Sequence, residues 1–94
     1  MKSVAENLKL SVPIEMGTET VSVLEFRKPS VGDIRRIGYP IFFTSEGDLK
    51  FNPDIVAKYI STLASIPPSA VDKMSISDFT AAVGVVTGFF GSGD

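Results

Sequence analysis

The chain has 94 residues, 44% hydrophobic and 21% charged, with nine Lys and Arg against eleven Asp and Glu. That length supports one domain with a modest core, and a net charge of -2 lacks the concentrated positive charge that nucleic acids or anionic membranes require. There is no Cys and no His, which removes disulfides, thiolate metal sites and the commonest general base and zinc ligand.

The opening "MKSVAENLKLSVPIEM" has no continuous apolar run, so it is not read as a signal peptide, and the cytoplasm is the expected compartment. Leu8, Leu10, Val12 and Ile14 recur at every second position, the period of a half-buried strand. "MGTET" supplies turn residues, and Val21, Val23 and Phe26 form a second run, so residues 8–27 are predicted to form a β-hairpin. The alternation slips at Val23-Leu24, which a bulge or a strand covered on both faces would explain. Pro13 points to an edge strand, since proline donates no ladder hydrogen bond.

Beyond Pro29 the pattern is helical. Ser30-Val31-Gly32-Asp33, Ser69-Ala70-Val71-Asp72 and Ser75-Ile76-Ser77-Asp78 each set an acid three residues after a Ser, the spacing of a helix N-cap. Asn52-Pro53 adds a fourth start, with Asn as cap and Pro at the first helical position. The expected helices cover 30–38, 53–65, 69–74 and 76–90, with a flexible tail at 91–94. "TSEGDLKFNP" is read as a loop with a turn at Glu46-Gly47-Asp48, and Ile55, Val56, Tyr59, Ile60 and Leu63 form the buried stripe of the second helix. The fold class is α+β, an N-terminal β-hairpin followed by three to four helices in a single small domain.

Catalytic equipment is sparse. Asp33, Asp72 and Asp78 are accounted for as caps, and Asp54 as an acid in a first turn. No nucleotide-binding glycine loop, nucleophile elbow or acidic calcium loop occurs, and Tyr39 and Tyr59 read as packing residues. An enzyme is not expected, and neither is a cofactor, metal, nucleic-acid or membrane partner.

Residues 79–93 carry no charged side chain, yet that stretch is shorter than the about 20 apolar residues a membrane span needs. Within it Ile76, Phe79, Val83, Val86 and Phe90 follow a 3-4-3-4 spacing and are expected to face the core. Val85 and Phe89 lie beside that face. A domain this small has difficulty covering both sides of one helix, so Val85, Phe89 and Phe90 are the candidate partner-binding residues. Gly84 and Gly88 weaken the isolated helix by about 1 kcal/mol each, so packing must hold it.

Two segments together resemble a known family. "LEFRKPSVGDIRRIG" is similar to the strand–Arg–x–Pro–Ser/Thr–x–x–Asp–Ile/Leu segment of phage tail assembly chaperones, the Mu-like and P2-like small tail proteins encoded beside the tube and tape-measure genes. "IVAKYISTLASIPPSAVDKMSISDFTAAVGVVTGFF" resembles their second signature. The match rests on Arg27, Pro29, Ser30, Asp33, Ile34, Leu63, Ile66, Pro67, Val71, Asp72, Asp78, Phe79 and Phe90. The resemblance implies a non-enzymatic assembly factor that binds the tape-measure protein, helps tail-tube subunits assemble around it and stays out of the finished virion. It also implies a longer product made by a backward frameshift, for which Gly88-Phe89-Phe90 would have to be encoded by a slippery run. The residues leave a second reading open, a small host regulatory or structural adaptor that self-associates through its apolar last helix.

Overall fold

A computed structural model describes residues 4–91. Strands β1 (Glu6–Met16) and β2 (Glu19–Phe26) form an antiparallel hairpin, turned at Gly17, whose φ of 64° suits glycine at the first position of a two-residue loop. Helix α1 (Val31–Ile37), strands β3 (Ile41–Phe43) and β4 (Leu49–Phe51), and helices α2 (Pro53–Ala64), α3 (Pro68–Asp72) and α4 (Ile76–Gly91) follow. The architecture is the α+β arrangement expected, a hairpin followed by helices. Of the tail expected at 91–94, Gly91 is the last residue of α4, and 92–94 lie outside the described residues.

The core forms where α2 and α4, packed against each other, both lie against the hairpin, α2 on β2 and α4 on β1. Leu10, Ile14, Leu24 and Phe26 meet Val56, Tyr59, Ile60 and Leu63, with Ala70 and Val71 closing one end and Ala82 and Val86 entering from α4. Fully burying a large apolar side chain contributes about 1.5–3 kcal/mol, so these few residues supply most of the driving force. The Arg27 N–H donates to the Leu63 carbonyl at 3.1 Å, tying the end of β2 to α2.

The slip at Val23-Leu24 is a bulge. Lys9 pairs with Val23 and Ile14 with Val21, so β1 carries extra residues between those two pairs. Leu24 is buried while Val23 is exposed, which rules out a strand covered on both faces. Val12, expected in the inward-facing row, lies in the bulge and is exposed, because the chain there turns its amides toward α4.

Four further expectations need correction. The segment 44–53 read as loop contains strand β4, and with Ile41–Phe43 it forms a second hairpin around Gly47 at φ 87°. Strands of three residues are too short for a period to show. Ser69 does not cap α3: Pro67 holds the N-cap position without a side-chain bond and Pro68 starts the helix, so Ser69 falls in the first turn. Of the expected α2 stripe, Ile55 is only half-buried, and the stripe runs on through Ala64 instead. The inward row of α4 is Asp78, Ala82 and Val86, whereas Ile76 is 87% exposed and Phe79 and Val83 are half-buried. Asp78 sets that roll of the helix. Its carboxylate accepts the Ser11 and Val12 N–H groups at 2.9 and 3.1 Å and the Ser11 hydroxyl at 3.0 Å, all within the bulge of β1.

Candidate functional site

At α1 a short sequence builds a compact ionic knot. Ser30 caps the helix by accepting the Asp33 N–H at 3.2 Å, and Asp33 returns the favour by accepting the Ser30 N–H at 2.8 Å. Arg27 then grips the Asp33 carboxylate with both terminal nitrogens, at 2.8 and 3.2 Å, and Arg36 adds a contact at 2.6 Å. Asp33 is 1% exposed, and the Arg27 guanidinium is the main reason its carboxyl sits far below the ordinary carboxylate range, against the opposing effect of burial. The same pair raises Arg27. A carboxylate this fully occupied is a structural anchor with no lone pair to spare for a reaction.

Helix α1 stops at Gly38, whose φ of 100° requires glycine, and the Gly38 carbonyl accepts the Tyr59 hydroxyl at 2.6 Å. Desolvation pushes the Tyr59 phenol up, which keeps it the donor in this bond. Past that anchored carbonyl the chain turns Tyr39 outward. Tyr39 is 63% exposed, so only Tyr59 of the two tyrosines is a packing residue in the sense expected.

The knot and the anchored turn hold one wall of a groove of about 380 Å³, and the C-terminal turns of α4 form the other. Pro29, Val31, Ile34 and Tyr39 face Phe89 and Phe90, with Lys28 and Ser30 at the edge. Val31 is 71% exposed. Phe90 packs edge-on against both Tyr59 (5.2 Å between centroids) and Tyr39 (6.1 Å), so its ring bridges core and groove.

The three candidate partner-binding residues therefore separate. Phe89 and Phe90 line the groove together, whereas Val85 lies one turn before Phe89 on α4, half-buried against the core and away from the lining. Sequence reasoning missed Val31, Ile34 and Tyr39. The signal was an apolar residue directly after the Ser30 cap, where a hydrophobic side chain on a helix of about two turns has little of its own element to cover it. A second apolar feature is the β3–β4 hairpin, where Phe42, Phe43, Leu49 and Phe51 are exposed. Cross-strand pairing of Ile41 with Phe51 and Phe43 with Leu49 puts Ile41, Phe43, Leu49 and Phe51 on one face, while Phe42 pairs with Lys50 on the other.

Among the described residues every buried side-chain nitrogen and oxygen has a hydrogen-bond partner, and no helix is long and apolar enough to cross a membrane. The groove thus offers apolar surface with a cationic edge and no unpartnered buried polar group aimed at a small ligand. No curated protein and no solved structure matches the chain. A family model described as "phage tail assembly chaperone proteins, E, or 41 or 14" matches residues 7–91.

Proposed function

We propose that this chain, which belongs to the phage tail assembly chaperone family, binds the tape-measure protein through the groove between α1 and α4. Phe89 and Phe90 supply the contact surface there, Val85, one turn earlier on α4, is a contact outside the groove, and the tail-tube protein is a further partner. In this role the protein acts by covering an apolar, aggregation-prone chain in the host cytoplasm, without catalysis and without remaining in the virion.

The observation that carries this reading is the cluster of apolar side chains left open at the groove. Val31, Tyr39 and the two phenylalanines lie side by side on a domain whose family works in tail assembly. Contiguous exposed apolar surface of this kind marks protein contact sites.

Co-expression with the tape-measure protein of the same phage tests it. The wild-type chain should keep that protein soluble and co-purify with it, and Phe89→Asp should lose the complex while retaining its far-ultraviolet circular dichroism. Because Phe89 is half-buried, Tyr39→Asp serves as the second variant, since that exposed ring can be replaced without opening the core. Retention of the complex by Tyr39→Asp and Phe89→Asp alike would sink the groove assignment. A stable homodimer through Val85 and Phe89 with no tape-measure binding would favour a self-associating adaptor.

A further inference from the structure

Charge is distributed unevenly along this acidic chain. Of nine cationic side chains, four (Arg27, Lys28, Arg35 and Arg36) lie between Glu25 and Glu46, whereas of eleven acidic ones that stretch holds only Asp33. Asp33 is buried and shared between Arg27 and Arg36, so it offsets one of those charges. Among the described residues Lys28 and Arg35 form no ion pair. Lys28 lines the groove, and Arg35, exposed and four residues after Val31, lies one turn along the same face of α1, outside the lining. Among the described residues no carboxylate lines the groove. A protein of net charge -2 thus places a local positive excess beside an aromatic cleft.

We infer that the groove takes an amphipathic helix whose apolar face is flanked by acidic residues. This rests on the reading of the groove as a docking surface and adds the chemistry of its occupant. The shape favours a helix: Val31 and Ile34 form an i, i+3 ridge on one wall, and Phe89 and Phe90 stand on another helix opposite, so a third helix can seat its own ridge between them. The charge selects its flanks. Lys28 and Arg35 attract carboxylates at the rim and repel a basic helix of the same apolar pattern, which is how rim charges confer specificity.

Two synthetic peptides test this. They share leucines at i, i+3, i+4 and i+7 and differ only in carrying Glu or Lys at every other position, with both ends blocked. Each is titrated into the isotope-labelled protein and followed by amide chemical shifts. The Glu peptide should perturb Val31, Ile34, Tyr39 and Phe89 and bind about tenfold more tightly than the Lys peptide, since two exposed charge pairs are each worth up to about fivefold. Raising salt from about 0.05 M to about 0.5 M should remove most of that preference. The double variant Lys28→Glu with Arg35→Glu, which leaves the Asp33 knot untouched, should reverse it.

Equal binding of the two peptides, preference for the Lys peptide, shifts away from the groove, or no binding of either would overturn the inference. The two readings fail separately. If the tape-measure protein does not co-purify but the Glu peptide occupies the groove, only the partner's identity falls. If the tape-measure protein binds regardless of Lys28 and Arg35, the acidic helix falls and the docking surface stands.

Discussion

Asp33 and Asp78 occupy the same place in the local sequence code, three residues after a serine, and the fold uses them differently. Asp33 completes its own capping box and then collects Arg27 and Arg36. Asp78 leaves its cap half-made: Ser75 accepts the Asp78 N–H at 3.1 Å, but the carboxylate reaches across to β1. Both carboxyls are held below their ordinary range, Asp33 chiefly by Arg27 and Asp78 chiefly by the Ser11 and Val12 amides. On acidification the unfolded chain therefore takes up these protons first. Stability should be at its full value above the ordinary carboxylate pKa of about 4 and fall as pH drops below it. Asp33→Asn should cost about 2 kcal/mol at pH 7, the scale of charge-assisted hydrogen bonds lost at a buried site. It should also flatten the profile between about pH 4 and pH 2, where wild type is losing that contribution. Urea midpoints at several pH values read both effects, and an unchanged slope in Asp33→Asn would refute the assignment.

At the scale of elements, α4 shows how far local pattern carries. Its start, its length and its lack of charge are readable from the chain, but its roll is not. The 3-4-3-4 row pointed Ile76 inward, and the fold instead buries the row through Asp78, Ala82 and Val86 because the β1 bulge claims the Asp78 carboxylate. With that roll Gly84 and Gly88 face outward, and a Cβ at either would meet no atom within 4 Å. Gly84→Ala and Gly88→Ala should each stabilise the protein by about 0.5–1 kcal/mol, since alanine is the better helix former and orders less costly chain. Thermal melts would check this, and a loss of stability in either variant would mean that something packs on the glycine stripe. The β3–β4 hairpin was missed for a related reason. Its turn was legible in Glu46-Gly47-Asp48, but three-residue strands have no period, and only the ladder between the two strands identifies them.

Taken whole, the molecule measures 46 × 31 × 20 Å, thin enough that one layer of helices covers a hairpin on a single side. A body of that shape cannot enclose all its apolar residues, and besides single ones such as Val12, Val23 and Ile76 it leaves apolar side chains outside at the groove and at the β3–β4 hairpin. The hairpin set contributes little to folding: Phe43 is 74% exposed and Leu49 also lies in solvent. Phe43→Ser with Leu49→Thr should therefore change stability by less than about 0.5 kcal/mol, as surface substitutions do. The same variant should raise the concentration at which the protein begins to scatter light, because it removes an open apolar patch. A loss of several times that energy would show that the hairpin belongs to the core.

What the sequence by itself determined is what depends on neighbours along the chain. The first hairpin, the Ser30 and Asn52 caps, the α2 stripe from Val56 to Leu63 and the break at Pro67-Pro68 are all set within a few residues, by strand period, capping chemistry and proline geometry. The order of these pieces carried the family resemblance over nearly the whole chain from Val21 onward, and the family match over 7–91 agrees with it and begins earlier. Only the tertiary structure decided which faces meet. Asp78 and Ser11 are 67 residues apart, a separation no local period can couple, and their contact sets the roll of α4. That roll in turn brings Phe89 and Phe90 opposite Val31 and Tyr39. The groove exists because one carboxylate satisfies two strand amides that a bulge had left without partners, and such a demand arises only once the strand and the helix are in contact.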